Sequence, residues 1–263
     1  MTPPESVGIV GTEIRDGIGW VTLDNPTRRN AISTSMMATL GSTLRALDDD
    51  PTIRVIVLRG RGTDAFAAGA DISEFETHQT KQASRQENEE AVGTLFGTLS
   101  ELTTPLIVMV HGYCIGAGMA LALAADLRIS SPTGRFAIPA ARLGIGYPVT
   151  LTHALVDAVG PGHASDMLFT GRTLTAEEAQ SIGLINRVVD SASLEAHVLE
   201  VASQIAANAP LSVRAAKTSI KARTNSTLAE RAERHVAACL DSEDAREGQR
   251  AFMERRDPTF EGR

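Results

Sequence analysis

Two short turns carry the residue types from which an anion-binding site can be built. The first runs Phe66-Ala67-Ala68-Gly69-Ala70-Asp71-Ile72, just after a strand-like stretch. The second runs His111-Gly112-Tyr113-Cys114-Ile115-Gly116-Ala117-Gly118, between a buried apolar run and a helix-like one. Glycine and alanine let a ligand come close to the main chain. A helix start adds unpaired N–H groups and partial positive charge, which suit an oxygen that gains negative charge during a reaction. Taken singly, each turn reads equally well as a tight strand-to-helix connection. Neither is a dinucleotide fingerprint, since Gly112, Gly116 and Gly118 do not keep the G-x-G-x-x-G spacing.

Pattern excludes other chemistries. The six histidines (His78, His111, His153, His163, His197, His235) show no metal-ligand spacing among themselves or with cysteine. The chain has no G-x-S-x-G elbow and no G-x-x-x-x-G-K-[ST] phosphate loop. With 25 basic against 32 acidic residues the net charge is −7, and no basic run offers a track for nucleic acid. Cys114 and Cys239 are too far apart in sequence to read as a disulfide framework, which points to a reducing cytoplasm. Residues 1–11 do not read as a secretory signal. The most apolar run, 106–110, is far short of the roughly 20 residues that span a membrane, so a soluble protein is expected.

The elements that must hold the turns follow from periodicity. Residues 18–23 read as a strand after the Asp16-Gly17 turn. Residues 30–46 read as a helix capped by Ser33 or Thr34, with Met37, Leu40, Leu44 and Leu47 spaced by threes and fours. Strands are expected at 53–59, 106–110 and 127–130, with helices at 91–102 and 118–125. This alternation implies an α/β fold with parallel crossovers and helices packed on a sheet. Beyond about residue 173 the segments 175–182, 193–207, 211–222, 227–240 and 242–256 are all helix-forming, punctuated by Pro210 and Thr224-Asn225-Ser226. Residues 1–190 are therefore assigned to an α/β core with the site, and 191–263 to a helical region. The polar stretch 74–90 reads as a loop or as a solvated helix face.

In order and spacing, the pieces resemble the enoyl-CoA hydratase/isomerase, or crotonase, superfamily. They are Leu23-Asp24-Asn25-Pro26 with Asn30-Ala31-Ile32, the two turns, Ala125-Asp126-Leu127-Arg128-Ile129, Thr170-Gly171-Arg172, the stretch 183–189, and Glu247-Gly248 with Ala251-Phe252. The resemblance implies a crotonase-type spiral of ββα repeats with a C-terminal helical trimerisation region. It also implies an oxyanion hole whose two backbone donors are the N–H groups of Ala70 and Ala117. Such a preorganised donor typically contributes about 10²–10³-fold in rate. Coenzyme A enters as part of an acyl-CoA substrate, with no cofactor permanently bound. Its contacts are implied at Thr27, Arg28, Ala68, Ala70, Asp71 and Ile72. From the tail of a neighbouring subunit in a homotrimer or hexamer, Phe252 and Arg255 join them. For these two, the plain alternatives are helix packing and a solvated charge. Ser73 stands where relatives often have lysine.

The resemblance also shows what this sequence lacks. The family's hydratases use two glutamates for proton transfer, each typically worth about 10²–10⁴-fold. Their motif positions fall here on Ala120 and Ala140. Tyr147, in Leu143-Gly144-Ile145-Gly146-Tyr147-Pro148, falls where the family's methylmalonyl-CoA decarboxylases carry a functional tyrosine, although those have histidine in place of Ala70. A phenol there could orient a carboxylate or assist protonation, or only fill the pocket. Glu74, His78 and Arg142 could reach inward, and Asp71 and Asp126 suit bracing of the turns through nearby backbone N–H groups. Three functions stay open. They are enolate chemistry without hydration machinery (decarboxylation, thioester hydrolysis, or another lyase or isomerase reaction), a hydratase with relocated acids (Glu74 or another carboxylate), and a non-catalytic acyl-CoA-binding or assembly subunit.

Overall fold

A computed structural model describes residues 8–71, 74 and 82–263. Its first part runs β1 (Ile9–Arg15), β2 (Ile18–Asp24), α1 (Thr34–Asp49), β3 (Val55–Gly60), β4 (Ala65–Ala67) and α2 (Gln82–Glu101). Next come β5 (Leu106–Val110), β6 (Tyr113–Ile115), α3 (Ala117–Ala124), β7 (Leu127–Ser130), β8 (Arg135–Ala137) and α4 (Val149–Thr170). The chain finishes with β9 (Leu174–Thr175), α5 (Ala176–Ser181), β10 (Arg187–Val188), α6 (Leu194–Ala207), α7 (Pro210–Ala222), α8 (Ala229–Leu240) and α9 (Glu243–Glu254).

Three successive units have the same plan. Each of the pairs β3–β4, β5–β6 and β7–β8 is followed by a helix. The first strand of each pair joins a six-stranded sheet of order β1-β2-β3-β5-β7-β10, and the second joins a four-stranded sheet of order β4-β6-β8-β9. Within each sheet these repeated strands run parallel. The result is the crotonase-type spiral of ββα repeats. Strands buried on both faces must be apolar at nearly every position, and β5, with five buried residues out of five, shows why its sequence is an unbroken apolar run.

The two faces of the larger sheet are covered differently. Val21, Leu23, Ile56, Leu58, Val108 and Val110 pack into a large core shared with α1, α2, α3 and α4. On the other face Ile18, Trp20, Val57, Ile107 and Met109 meet Leu194, Val198 and Ala202 of α6. α6, which the division at residue 190 groups with the tail, is thus a layer of the core. α7 is fastened by lysines instead. Lys217, 6% exposed, donates to Thr104 O and Asp126 Oδ2, both at 2.7 Å, and Lys221 donates to the carbonyls of Leu99, Ser100 and Leu102.

Some elements differ from the sequence expectation for identifiable reasons. α1 starts at Thr34, with Ser33 as N-cap accepting the Met36 N–H. Asn30 takes a left-handed conformation (φ 57°) and its buried amide donates to Arg61 O and Ala65 O. α2 reaches back to Gln82, so within 74–90 the described part from Gln82 onward is helical. α4 does not stand out in the sequence, because Gly160 (φ 75°, ψ 163°) and Pro161 break its pattern in the middle.

Candidate active site

The two glycine-containing turns meet. A Cβ placed on Gly116 (φ 53°) would lie 3.8 Å from Gly69 Cα, and one on Gly69 (φ 119°) would lie 3.8 Å from Ile115 O. The parallel β4–β6 pairing brings them together, with Ala67 opposite Cys114. Gly118 presses on the same strand, since a Cβ there would sit 2.5 Å from Ala67 O. Ala70 follows the first turn glycine, in a bridge with Ile32 in which Ile32 N–H donates to Gly69 O and Asp71 N–H to Ile32 O. Ala117 is the first residue of α3, with Gly116 as N-cap. Neither the Ala70 nor the Ala117 N–H has a hydrogen-bond acceptor among the described residues. The positive end of α3 and two unengaged donors on abutting turns are what an oxyanion requires.

Tyr147 follows the 3-10 turn Ala140–Leu143 and precedes α4. Its ring packs against the large core, and its hydroxyl is buried without a partner among the described residues. Burial pushes the phenol pKa upward, and the neighbouring Cys114 adds to the shift. Tyr147 is therefore a proton or hydrogen-bond donor at neutral pH and not a base. Burial also raises the pKa of Cys114, whose Sγ lies 3.7 Å from Met119 Sδ. Sequence reasoning gave this thiol no role in the site, and nothing but its place two residues before Gly116 could have signalled one. Ala120 and Ala140 are 3% and 8% exposed, so both methyls lie in the packed interior.

The residues assigned to coenzyme A divide into two groups. Thr27 and Arg28 lie in the 3-10 turn Pro26–Arg28, and Arg28 pairs with Asp71 at 2.6 Å. Ala68 N–H donates to Arg29 O, and the Arg29 guanidinium stacks 4.9 Å over the Tyr113 ring. These contacts lock the turn after β2 against both glycine turns, through Ala68 and Asp71 on the first and Tyr113 on the second. Ile72 lies outside the described residues, as do Ser73 and His78. Phe252 is 82% exposed and so does not pack within its own chain, the plain alternative to a coenzyme A contact, and Arg255 is an exposed left-handed residue closing α9. Neither is packed against the turns.

The remaining polar candidates have other duties. Glu74 accepts from both the N–H and the hydroxyl of Thr34 at 2.9 and 2.8 Å, which binds it to the start of α1. Arg142 donates to Thr170 O, at the end of α4. Asp126 braces a strand rather than its own turn, accepting Leu106 N–H and the Lys217 ammonium. The carboxylate of Asp71 meets Arg28. No group of three His, Cys, Asp or Glu among the described residues could hold a metal ion, and no helix among them is long and apolar enough to cross a membrane.

Comparison with known proteins agrees with this geometry. The profile of the family described as enoyl-CoA hydratase/isomerase matches residues 13–263. A carnitinyl-CoA dehydratase of Salmonella arizonae is 37% identical over 254 residues, covering 92% of this chain and 94% of its own. One from Citrobacter koseri is 35% identical over 255 residues, with the same coverage. The crystal structure of an enoyl-CoA hydratase/carnithine racemase from Magnetospirillum magneticum superposes with a TM-score of 0.91 at 32% identity, covering 98% of this chain and 97% of the other.

Proposed function

The chain belongs to the enoyl-CoA hydratase/isomerase family, and from that premise we propose that it converts an acyl-CoA thioester through an enolate held by the Ala70 and Ala117 N–H groups. The observation that carries this reading is the meeting of two turns whose donors find no acceptor among the described residues. Coenzyme A enters with the substrate and leaves with the product.

The reaction class follows from what surrounds the hole. With alanine at positions 120 and 140, no carboxylate stands at either place where the resemblance implies a glutamate. Glu74, the first candidate to replace them, is tied to Thr34. An enolate can form without a side-chain base when a carboxylate on the α-carbon leaves as CO₂. The electrons of the breaking C–C bond pass into the thioester, and its oxygen takes the charge at the hole. The α-carbon then accepts a proton. The buried Tyr147 hydroxyl, held protonated, is the group that assists this step or orients the departing carboxylate. We therefore favour decarboxylation of a 2-carboxyacyl-CoA. A dehydratase reading draws on the names of the relatives, and it requires an acid that these positions do not supply.

A panel of CoA thioesters followed by mass spectrometry tests the reading. A 2-carboxyacyl-CoA should lose CO₂, and Tyr147→Phe should slow that loss by about 10²-fold or more if the phenol takes part in proton transfer. A panel that binds throughout while none of it turns over would make the chain a binding or assembly subunit.

A further inference from the structure

α3 is an eight-residue helix of small and apolar residues, Ala117-Gly118-Met119-Ala120-Leu121-Ala122-Leu123-Ala124, and it carries one of the two proposed donors at its N-terminus. Its other end is held by one side chain. The Arg128 guanidinium donates through Nη1 to Ala122 O at 3.2 Å and Ala125 O at 2.7 Å, and through Nε to Leu184 O at 2.7 Å. The Arg128 backbone is itself pinned on both sides by Asn186, whose side-chain oxygen accepts its N–H and whose N–H donates to its carbonyl. No carboxylate among the described residues forms an ion pair with this arginine. Asp126, two residues earlier, is taken by Lys217 and Leu106 N–H.

Three carbonyls, with only the nearby charge of Asp126 to offset desolvation, are a spare environment for a cation that burial disfavours. A neutral residue could close the helix as well. The charge, however, sits where the helix is partially negative and adds to the positive potential at the far end. It also reaches the strand beside the hole, for it opposes the burial-driven rise in the pKa of Cys114.

We propose that Arg128 is a positioning residue for the Ala117 donor, fixing the end of α3 and adding its charge to the field that stabilises an enolate oxygen at the opposite end. This rests on the reading of Ala70 and Ala117 as the oxyanion donors. Eight residues at 1.5 Å each separate charge and oxyanion by about 12 Å. At an effective dielectric constant of about 20, the charge is then worth about tenfold in favour of the anion.

The test compares two CoA thioethers on the purified protein. One carries a nitro group whose nitronate form mimics an enolate, and the other is a neutral alkyl thioether of the same length. The ratio of their dissociation constants isolates what the hole does for charge. Arg128→Gln, which retains donors for the carbonyls, should lower the nitronate preference about tenfold and leave neutral-thioether affinity within about twofold. Arg128→Lys should restore the preference to within about threefold of wild type. A folded Arg128→Gln protein with the wild-type preference, or a lysine variant no better than glutamine, overturns the inference. If Arg128→Gln does not fold, the lysine variant decides, since a retained preference supports the role of the charge and a collapsed one refutes it. A wild-type protein with no preference for the nitronate would instead overturn the oxyanion reading itself.

Discussion

Ala117→Pro separates the donor function of the second turn from its structural role. Ala117 opens α3, and its N–H meets no acceptor among the described residues. Proline is well suited to the first helical position, where its fixed φ matches the helix and the missing N–H would be unpaired anyway. The residue before a proline must be extended. Gly116, at φ 53° and ψ −108°, is the mirror image of an extended conformation, which glycine alone adopts freely. Stability should therefore change by less than about 1 kcal/mol, or under about 4 °C in melting temperature for a chain of this size. Turnover should respond very differently. The ring removes the donor and occupies the space of the oxyanion, and one lost donor costs about 2.7–4 kcal/mol, or about 10²–10³-fold. The assay is product formation from the thioester that wild type consumes, alongside thermal melting and binding of free coenzyme A. Turnover within about tenfold of wild type would refute the role of this N–H. A melting point lowered by more than about 10 °C would instead show that the N–H or the Gly116 geometry holds the fold.

Crotonyl-CoA hydration should be far below the usual enzymatic range of about 1–10³ s⁻¹, and turnover within that range would show that acids reach the site from elsewhere. Introducing Ala120→Glu with Ala140→Glu should raise it only if the two buried carboxylates find partners, since unpaired charge in these positions destabilises the fold. Light scattering should report a trimer or hexamer, because Val236, Leu240, Phe252 and Met253 leave α8 and α9 with apolar surface exposed, and a monomer at micromolar concentration would contradict this. His111 should make stability fall with acid. Burial lowers its pKa, with Glu195 opposing, so the unfolded chain binds the proton more readily as pH drops through about 6.5. In His111→Gln the loss of stability between about pH 7 and 5 should be shallower, and an unchanged slope would assign it to other groups.

What the sequence revealed depended on the range of the forces involved. β5 is read at both ends because five buried apolar residues lie between Pro105 and the His111-Gly112 turn. The start of α1 is not, because Asn30 is drawn out of the helix by carbonyls at positions 61 and 65. The three-residue strands β4, β6 and β8 have too few residues for any period, and they exist only as neighbours in the second sheet. Both donor positions came from a resemblance that small residues and spacing carried, whereas the meeting of Gly69 with Gly116 required coordinates. Glu74 was open to two readings until its contacts with Thr34 were visible. Arg128 belonged to a recognised motif, but its grip on α3 depends on carbonyls that no side-chain pattern encodes.

The break inside α4 has a mechanical consequence. Val149–Val159 forms a rigid rod of about 16 Å, joined to the second half by the single non-helical residue Gly160. Nothing within 4 Å would touch a side chain added at that joint. Leu155 and Val159 embed the rod near its pivot, while Val149 at its tip is 69% exposed. Tyr147 is attached to the tip. A tilt of about 10° at the joint moves the tip by about 3 Å, roughly the length of one hydrogen bond. If Tyr147 acts as proposed, a bend of that size at Gly160 would decide whether its phenol, packed on the core in this structure, reaches the substrate.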